Sequence, residues 1–288
     1  MAADIQRIIF KPGLPLEIEI IPIAATFAKL KQSVTRPHRA EFYHIFWFRE
    51  GMATHLIDFK PVEVKPNTLL FVSKHRVQLL DASGEYDGRL LLFTDAFFGK
   101  SEADIKFLRS TILFNDLLDE PLIQLPESSP LIAAFNSIET ELSQPNDACH
   151  FDLLHNALHS LLLLGERERR RTGFTEIKRG ADLDYTILFK NLLDEQFKGL
   201  KTVSGYAVQI AVSEKRLTQA TAATVGKTPK ELIDERVLLE IKRLLVHTSL
   251  SIKEIGYEMG FEEPTNFIKY FRKHEGVTPI EFRERYTA

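Results

Sequence analysis

The chain is poor in the residues that mark several functional classes. Among its 288 residues there is one cysteine, Cys149, one tryptophan, Trp47, and three methionines. A single cysteine excludes an intramolecular disulfide and any paired-cysteine metal or redox site, and it suits a reducing compartment. No strong charge of one sign is present: the net charge is −3, so contact with nucleic acid has to be argued from local features. No apolar run approaches the length of a membrane span. The longest, around Leu161-Leu162-Leu163-Leu164, follows His155, Asn156 and His159. The N-terminal residues show no basic stretch leading into an apolar one, so no secretory signal is expected and a cytoplasmic protein is. Nucleophile elbows, phosphate loops and cysteine–histidine spacings are missing too, so no catalytic residue, cofactor or metal is assigned.

What is present is an ordinary globular composition, 44% hydrophobic and 27% charged, in a chain long enough for two domains. From about Leu16 to Phe98 the pattern is one of short strands. EFYHIFWF, ATHLIDF, NTLLFVS, RVQLLDA and GRLLLFT are rich in β-branched and aromatic residues and are separated by Gly, Pro and Asn turns. That spacing predicts a small barrel or sandwich. Helical patterns then cover Ser101 to Asn115, Pro130 to Ser143 and Asp147 to Arg171. The last carries a leucine stripe, including Leu154, Leu158, Leu161 and Leu162, which is read as a homodimer interface. Residues 172–183 are read as a linker, and the remainder as helical.

Two stretches of that remainder share one layout. In SLSIKEIGYEMGFEEPTNFIKYFR, Ser251 and Glu254 form a capping box, and Ile252, Ile255 and Met259 make an inner face. Gly260 ends the helix, and Pro264 starts a second one. Phe267 and Phe271 point inward there, leaving Thr265, Asn266, Lys269 and Lys273 outward. SGYAVQIAVSEKRLTQAT repeats the plan, with Ala207, Val208 and Ile210 expected inward and Ser213 as the second helix's cap. Lys215, Arg216, Thr218 and Gln219 are then outward. Each is the plan of a helix-turn-helix, whose second helix enters the major groove. The intervening Lys230–Val246 helix, about 25 Å long at about 1.5 Å per residue, would set the two about one DNA turn apart.

Residues from about Asp184 to Tyr286 resemble the DNA-binding domain of the AraC/XylS family of bacterial transcription regulators. GKTPKELI, LLEIKRLLVHTSLSIKEIGYEMGF and NFIKYFRKHEGVTPIEFR, in that order, carry the resemblance. It implies a seven-helix domain with Lys215, Arg216, Thr218 and Gln219 on the first reading helix and Thr265, Asn266 and Lys269 on the second. Arg272 and Lys273 stand where backbone contacts are expected. Thr221-Ala222-Ala223 replaces the aromatic and basic residues the family carries before the GKTP turn, so weaker phosphate contact is expected there. The first 171 residues resemble, less specifically, the family's cupin-like effector domain through PHRAEFYHIFWFREG and KPNTLLFVSKHRVQLL.

The fold class expected is therefore α+β in two domains, a cupin-like β-barrel with flanking helices (1–171) and an all-α DNA-binding domain (184–288). Arg36, His38, Phe42, His44, Trp47, His75 and Arg76 are the candidate lining of an effector site, with the two arginines toward a ligand carboxylate. A barrel packed solid with side chains is the competing possibility. A metal-dependent cupin enzyme fused to a DNA-binding module is the alternative function. His38, Glu41 and His75 could take three ligand places of such a site, but Ala40 stands where another histidine belongs. The i,i+4 pair His155 and His159, with Asp152, is read as surface or interface residues. Double-stranded DNA, a small-molecule effector and RNA polymerase are the expected partners, and activation the expected mode.

Overall fold

The computed structural model describes residues 5–11, 13–14, 16–114, 122–171 and 180–287, and the chain divides into two compact units between residues 176 and 177. The linker expected at 172–183 lies mostly outside the described residues. Its last three positions already belong to a helix.

The first unit begins with strand β1 (Gln6–Ile8), β2 (Ile18–Pro22) and helix α1 (Ile23–Val34). Strands β3 (His38–Ala40), β4 (Tyr43–Gly51), β5 (Ala53–Ile57), β6 (Lys60–Val64), β7 (Thr68–Val72), β8 (Val77–Leu79) and β9 (Tyr86–Phe93) follow. The unit closes with α2 (Asp95–Phe98), α3 (Glu102–Ser110), β10 (Leu122–Gln124), α4 (Pro130–Leu142) and α5 (His150–Arg171). Two five-stranded sheets result, in the orders β1-β3-β8-β5-β6 and β10-β7-β4-β9-β2.

The central strands β4, β7 and β9 are apolar on both faces because each face has a cover. Phe46, Phe48, Leu70, Val72, Leu90 and Leu92 meet Ala53, Ile57, Val62 and Val64 of the facing sheet. The alternate residues Tyr43, Ile45, Trp47, Leu69, Phe71, Leu91 and Phe93 pack on helices α2 to α5. Strand β5, with one face to solvent, alternates strictly: Ala53, His55 and Ile57 are buried while Thr54 and Leu56 are exposed.

Two readings of this unit are corrected. Helix α1 was expected to be strand-forming territory. Its N-terminus is satisfied by a distant acceptor, Asp87 Oδ1, 3.0 Å from the Ala24 amide nitrogen, so no local cap announces it. The leucines assigned to a dimer interface, Leu154, Leu158, Leu161 and Leu162, are each 0% exposed. They cover the outer face of the β4–β7–β9 sheet, and their width reflects the area of that sheet.

The second unit is helical throughout: α6 (Ala181–Gln196), α7 (Val203–Gln209), α8 (Glu214–Val225), α9 (Pro229–His247), α10 (Ile252–Glu258), α11 (Pro264–Glu275) and α12 (Pro279–Thr287). Caps set most boundaries. Thr228 with Glu231 and Ser251 with Glu254 are reciprocal capping boxes opening α9 and α10. Gly226 and Gly276 close α8 and α11 in the left-handed conformation. Among the described residues no helix is long and apolar enough to cross a membrane.

Candidate nucleic-acid interface and barrel interior

The pairs α7–α8 and α10–α11 have the geometry expected of two helix-turn-helix units. In the second, Ile255, Met259, Phe267 and Phe271 are fully buried, and Phe261 packs edge-on against Phe267 at 5.5 Å. Thr265, Asn266, Lys269, Arg272 and Lys273 are all exposed along the opposite side of α11. One polar hub fixes that helix. Tyr270 donates to Asp234 Oδ1 of α9 at 2.7 Å, and Lys230 reaches the same oxygen at 2.6 Å. Burial, and then the bond to Asp234, push the Tyr270 phenol above its usual range. Lys269 is thus presented by a helix whose neighbouring residue is anchored.

In the first unit Ser213 accepts from the Arg216 amide at 3.1 Å, and Leu217 and Ala220 are buried. Lys215 and Gln219 are exposed, while Thr218 is half-buried and donates to the Glu214 carbonyl at 2.8 Å. Arg216 departs from the outward placement expected of it. It is ion-paired with Asp182 in the first turn of α6, and its guanidinium lies 5.0 Å from the Tyr185 ring centroid. The acidic first turn of a helix that is remote in sequence draws it away from the reading face. Val208, expected inward, is 77% exposed, and Tyr206 takes the buried place, donating to the Leu200 carbonyl at 2.8 Å.

The seven effector candidates scatter. His38, Phe42 and His44 are buried, and His44 and Phe42 project into the space between the sheets, their rings 4.9 Å apart. Trp47 is on the opposite face of β4, against Phe135 of α4 at 5.3 Å, because residues one apart on a strand point to opposite sides. Arg36 and His75 are exposed. Arg76 Nε lies 2.5 Å from Asp58 Oδ2 in a nearly buried ion pair, so its charge is already balanced. Two residues that the sequence reading missed, His55 and Gln78, face the interior. His55 stands two residues from Ala53 and Ile57 on an alternating strand, a signal that period-2 counting alone contains. Gln78 is the register partner of His38 on one side and Ile57 on the other.

Burial, with a smaller effect of His38, holds the His44 imidazole at about 3, and burial holds His55 at about 4 against the opposing charge of Asp81. Both are neutral at physiological pH. Among the described residues no three His, Cys, Asp or Glu side chains converge as metal ligands do. Glu41 is ion-paired with Arg7. The i,i+4 pair on α5 is embedded in aromatic packing. His155 Nε2 donates to the Phe98 carbonyl at 2.8 Å, and His159 lies 4.9 Å from the Phe107 ring.

Comparison with known proteins agrees with both halves. Residues 21–163 match the profile described as an AraC-like ligand binding domain, and residues 206–285 that of a helix-turn-helix domain. A histidine kinase of Formosa agariphila is 27% identical over 181 residues, 58% of this chain but 13% of the kinase, so the chain spans a small part of that relative. The lactose operon transcription activator of Staphylococcus xylosus is 28% identical over 258 residues, covering 88% of this chain and 81% of the activator. A crystal structure of ToxT from Vibrio cholerae aligns over 94% of this chain and 98% of its own, at 14% identity and a TM-score of 0.43. The chain belongs to the AraC/XylS family of transcription regulators, with an AraC-like ligand-binding domain followed by a double helix-turn-helix domain.

Proposed function

We propose that the protein binds double-stranded DNA through α8 and α11 and responds to a small-molecule effector held between the sheets of its first unit. The observation that carries this reading is the repeated unit itself. Two capped helices, each with a buried apolar side and an exposed side bearing Lys215 and Gln219 or Asn266 and Lys269, flank one continuous helix, α9. Phosphate contacts would come from Arg272 and Lys273, and base contacts from Lys215, Gln219, Thr265, Asn266 and Lys269. Activation, the mode in the name of the Staphylococcus relative, is the mode proposed here, and RNA polymerase is proposed with it as a further partner.

A homodimer fits the outer side of α5 rather than its leucine stripe. Leu153 and Leu163 are about half exposed, and with Asn156, Ser160 and Arg167 they follow the alternating three- and four-residue spacing of a helix-pairing seam. Leu153→Asp combined with Leu163→Asp is expected to yield a monomer in light scattering; a persisting dimer places the interface elsewhere. Footprinting on the DNA upstream of the protein's own coding region tests the main reading. Two protected major-groove segments about one helical turn apart are expected, and absence of protection at low salt refutes it.

A further inference from the structure

Of the four buried side-chain atoms in the first unit without a hydrogen-bond partner among the described residues, Trp47 Nε1 lies on the helix-covered face of β4, and three lie between the sheets: Nδ1 of His44, Nε2 of His55 and Nε2 of Gln78. Their side chains belong to residues no more than 5% exposed. Such groups are rare in folded proteins, because a buried donor without a partner costs the full loss of its hydration. All three face the same interior. His44 lies on β4 between Phe42 and Phe46, with ring centroids at 4.9 and 5.7 Å. Across from it Gln78 sits in the facing sheet between His38 and Ile57, and His55 is on the next strand, 5.2 Å from the Phe48 ring.

The hydrogen-bonding sense of His55 follows from its other nitrogen. The Asp81 amide donates to His55 Nδ1 at 2.9 Å, so the neutral ring carries its proton on Nε2, the unpartnered atom. His38 is set the opposite way, its Nδ1 proton donated to the Arg36 carbonyl at 3.0 Å. The interior therefore offers N–H donors from His55 and Gln78 in an aromatic surround. Of the two arginines expected to meet a ligand carboxylate, Arg76 is paired with Asp58 and Arg36 is exposed. A carboxylate moved from water to this place would lose its hydration against neutral donors alone, whereas a carbonyl, ether or hydroxyl oxygen loses far less.

We propose that the space between the sheets takes an uncharged organic ligand with acceptor oxygens, held by the His55 Nε2–H and the Gln78 amide and flanked by Phe42, Phe46 and Phe48. This rests on the reading of that space as the effector site, and replaces the expectation of a ligand carboxylate. The neutrality of both imidazoles, whose basicity burial depresses, agrees with it.

The test uses the full-length protein in thermal unfolding, with benzamide, methyl benzoate and cyclohexanone against benzoate and cyclohexanecarboxylate. Wild type is expected to gain several degrees with at least one neutral probe and none with the carboxylates. Gln78→Leu and His44→Phe, which remove unpartnered atoms, are expected to raise the ligand-free midpoint. Gln78→Leu should also reduce the response to the neutral probe several-fold. A preference for carboxylates that is lost in Gln78→Leu would overturn the ligand class and leave the effector site standing. Lowered midpoints in both variants would overturn the proposal by showing that these groups are structurally satisfied. Silence of wild type toward every probe, or responses unchanged in both variants, would overturn the site as well.

Discussion

Gly260 and Ala211 hold the same place in the two helix-turn-helix units, the residue that turns the chain out of the first helix, and both have positive φ, +72° and +56°. For a residue with a Cβ this conformation costs about 1–2 kcal/mol. At Gly260 a Cβ would also lie 2.2 Å from the Lys198 carbonyl oxygen, a backbone atom that cannot rotate aside. Forcing that contact open adds about 1–3 kcal/mol, and the lost freedom of glycine in the unfolded chain returns about 0.5–1 kcal/mol, so Gly260→Ala is expected to cost about 1–4 kcal/mol. Ala211→Gly runs the other way. It relieves about 1–2 kcal/mol of strain and loses about 0.5–1 kcal/mol to the freedom of glycine in the unfolded chain, for a net gain of about 0.5–1 kcal/mol. The two units of the protein separate in the readout. Urea unfolding followed by far-UV circular dichroism reports the helices of both units, whereas fluorescence of the single tryptophan, Trp47, reports the first alone. The dichroism midpoint should fall for Gly260→Ala and rise for Ala211→Gly, with the fluorescence transition unmoved. A stable Gly260→Ala protein, or a destabilised Ala211→Gly one, would refute the assignment of strain to these turns.

Lys269→Ala is expected to relax preference at one base pair by about 1–3 kcal/mol with little change in salt slope. Lys273→Ala should weaken all sequences alike and lower the slope by about one unit, both read from salt titrations on matched and mismatched sites. Asp182→Asn frees Arg216 from its partly exposed ion pair. DNA affinity at low salt should rise by about two- to fivefold with a steeper salt dependence, and an unchanged slope would show that Arg216 does not reach phosphate. His44 and His55 have folded values below the ordinary one for histidine, so between those values and about 6 the unfolded chain binds more protons and stability falls with falling pH. Each adds a slope of about 1.4 kcal/mol per pH unit, and His44→Phe should remove one such contribution from urea midpoints followed by Trp47 fluorescence between pH 7 and 4.5. A pH-independent midpoint would refute their burial as neutral groups.

The helical character of the second unit and several of its helix ends were legible because their signals are local. The Ser251–Glu254 and Thr228–Glu231 boxes, Pro229, Pro264 and the left-handed glycines each act within a turn of their own position. The phase of α11 follows from Phe267 and Phe271 four apart. The phase of α7 did not, because in AVQI the apolar residues Ala207, Val208 and Ile210 admit more than one buried side, and the packing of Tyr206 selects it.

In the first unit the strands and the long helix α5 were likewise determined by composition and period, which depend on neighbours along the chain. The tertiary structure alone decided what each face meets. The leucine stripe of α5 is consumed by the sheet of β4, β7 and β9. Trp47 turns to α4 while His44 turns inward, and Asp58 holds Arg76 and Asp182 holds Arg216. An apolar stripe states that a surface must be covered without naming the cover, and an arginine's charge states that a partner is favoured without naming which carboxylate. Both choices are made by segments distant in sequence, so they exist only once the chain has folded.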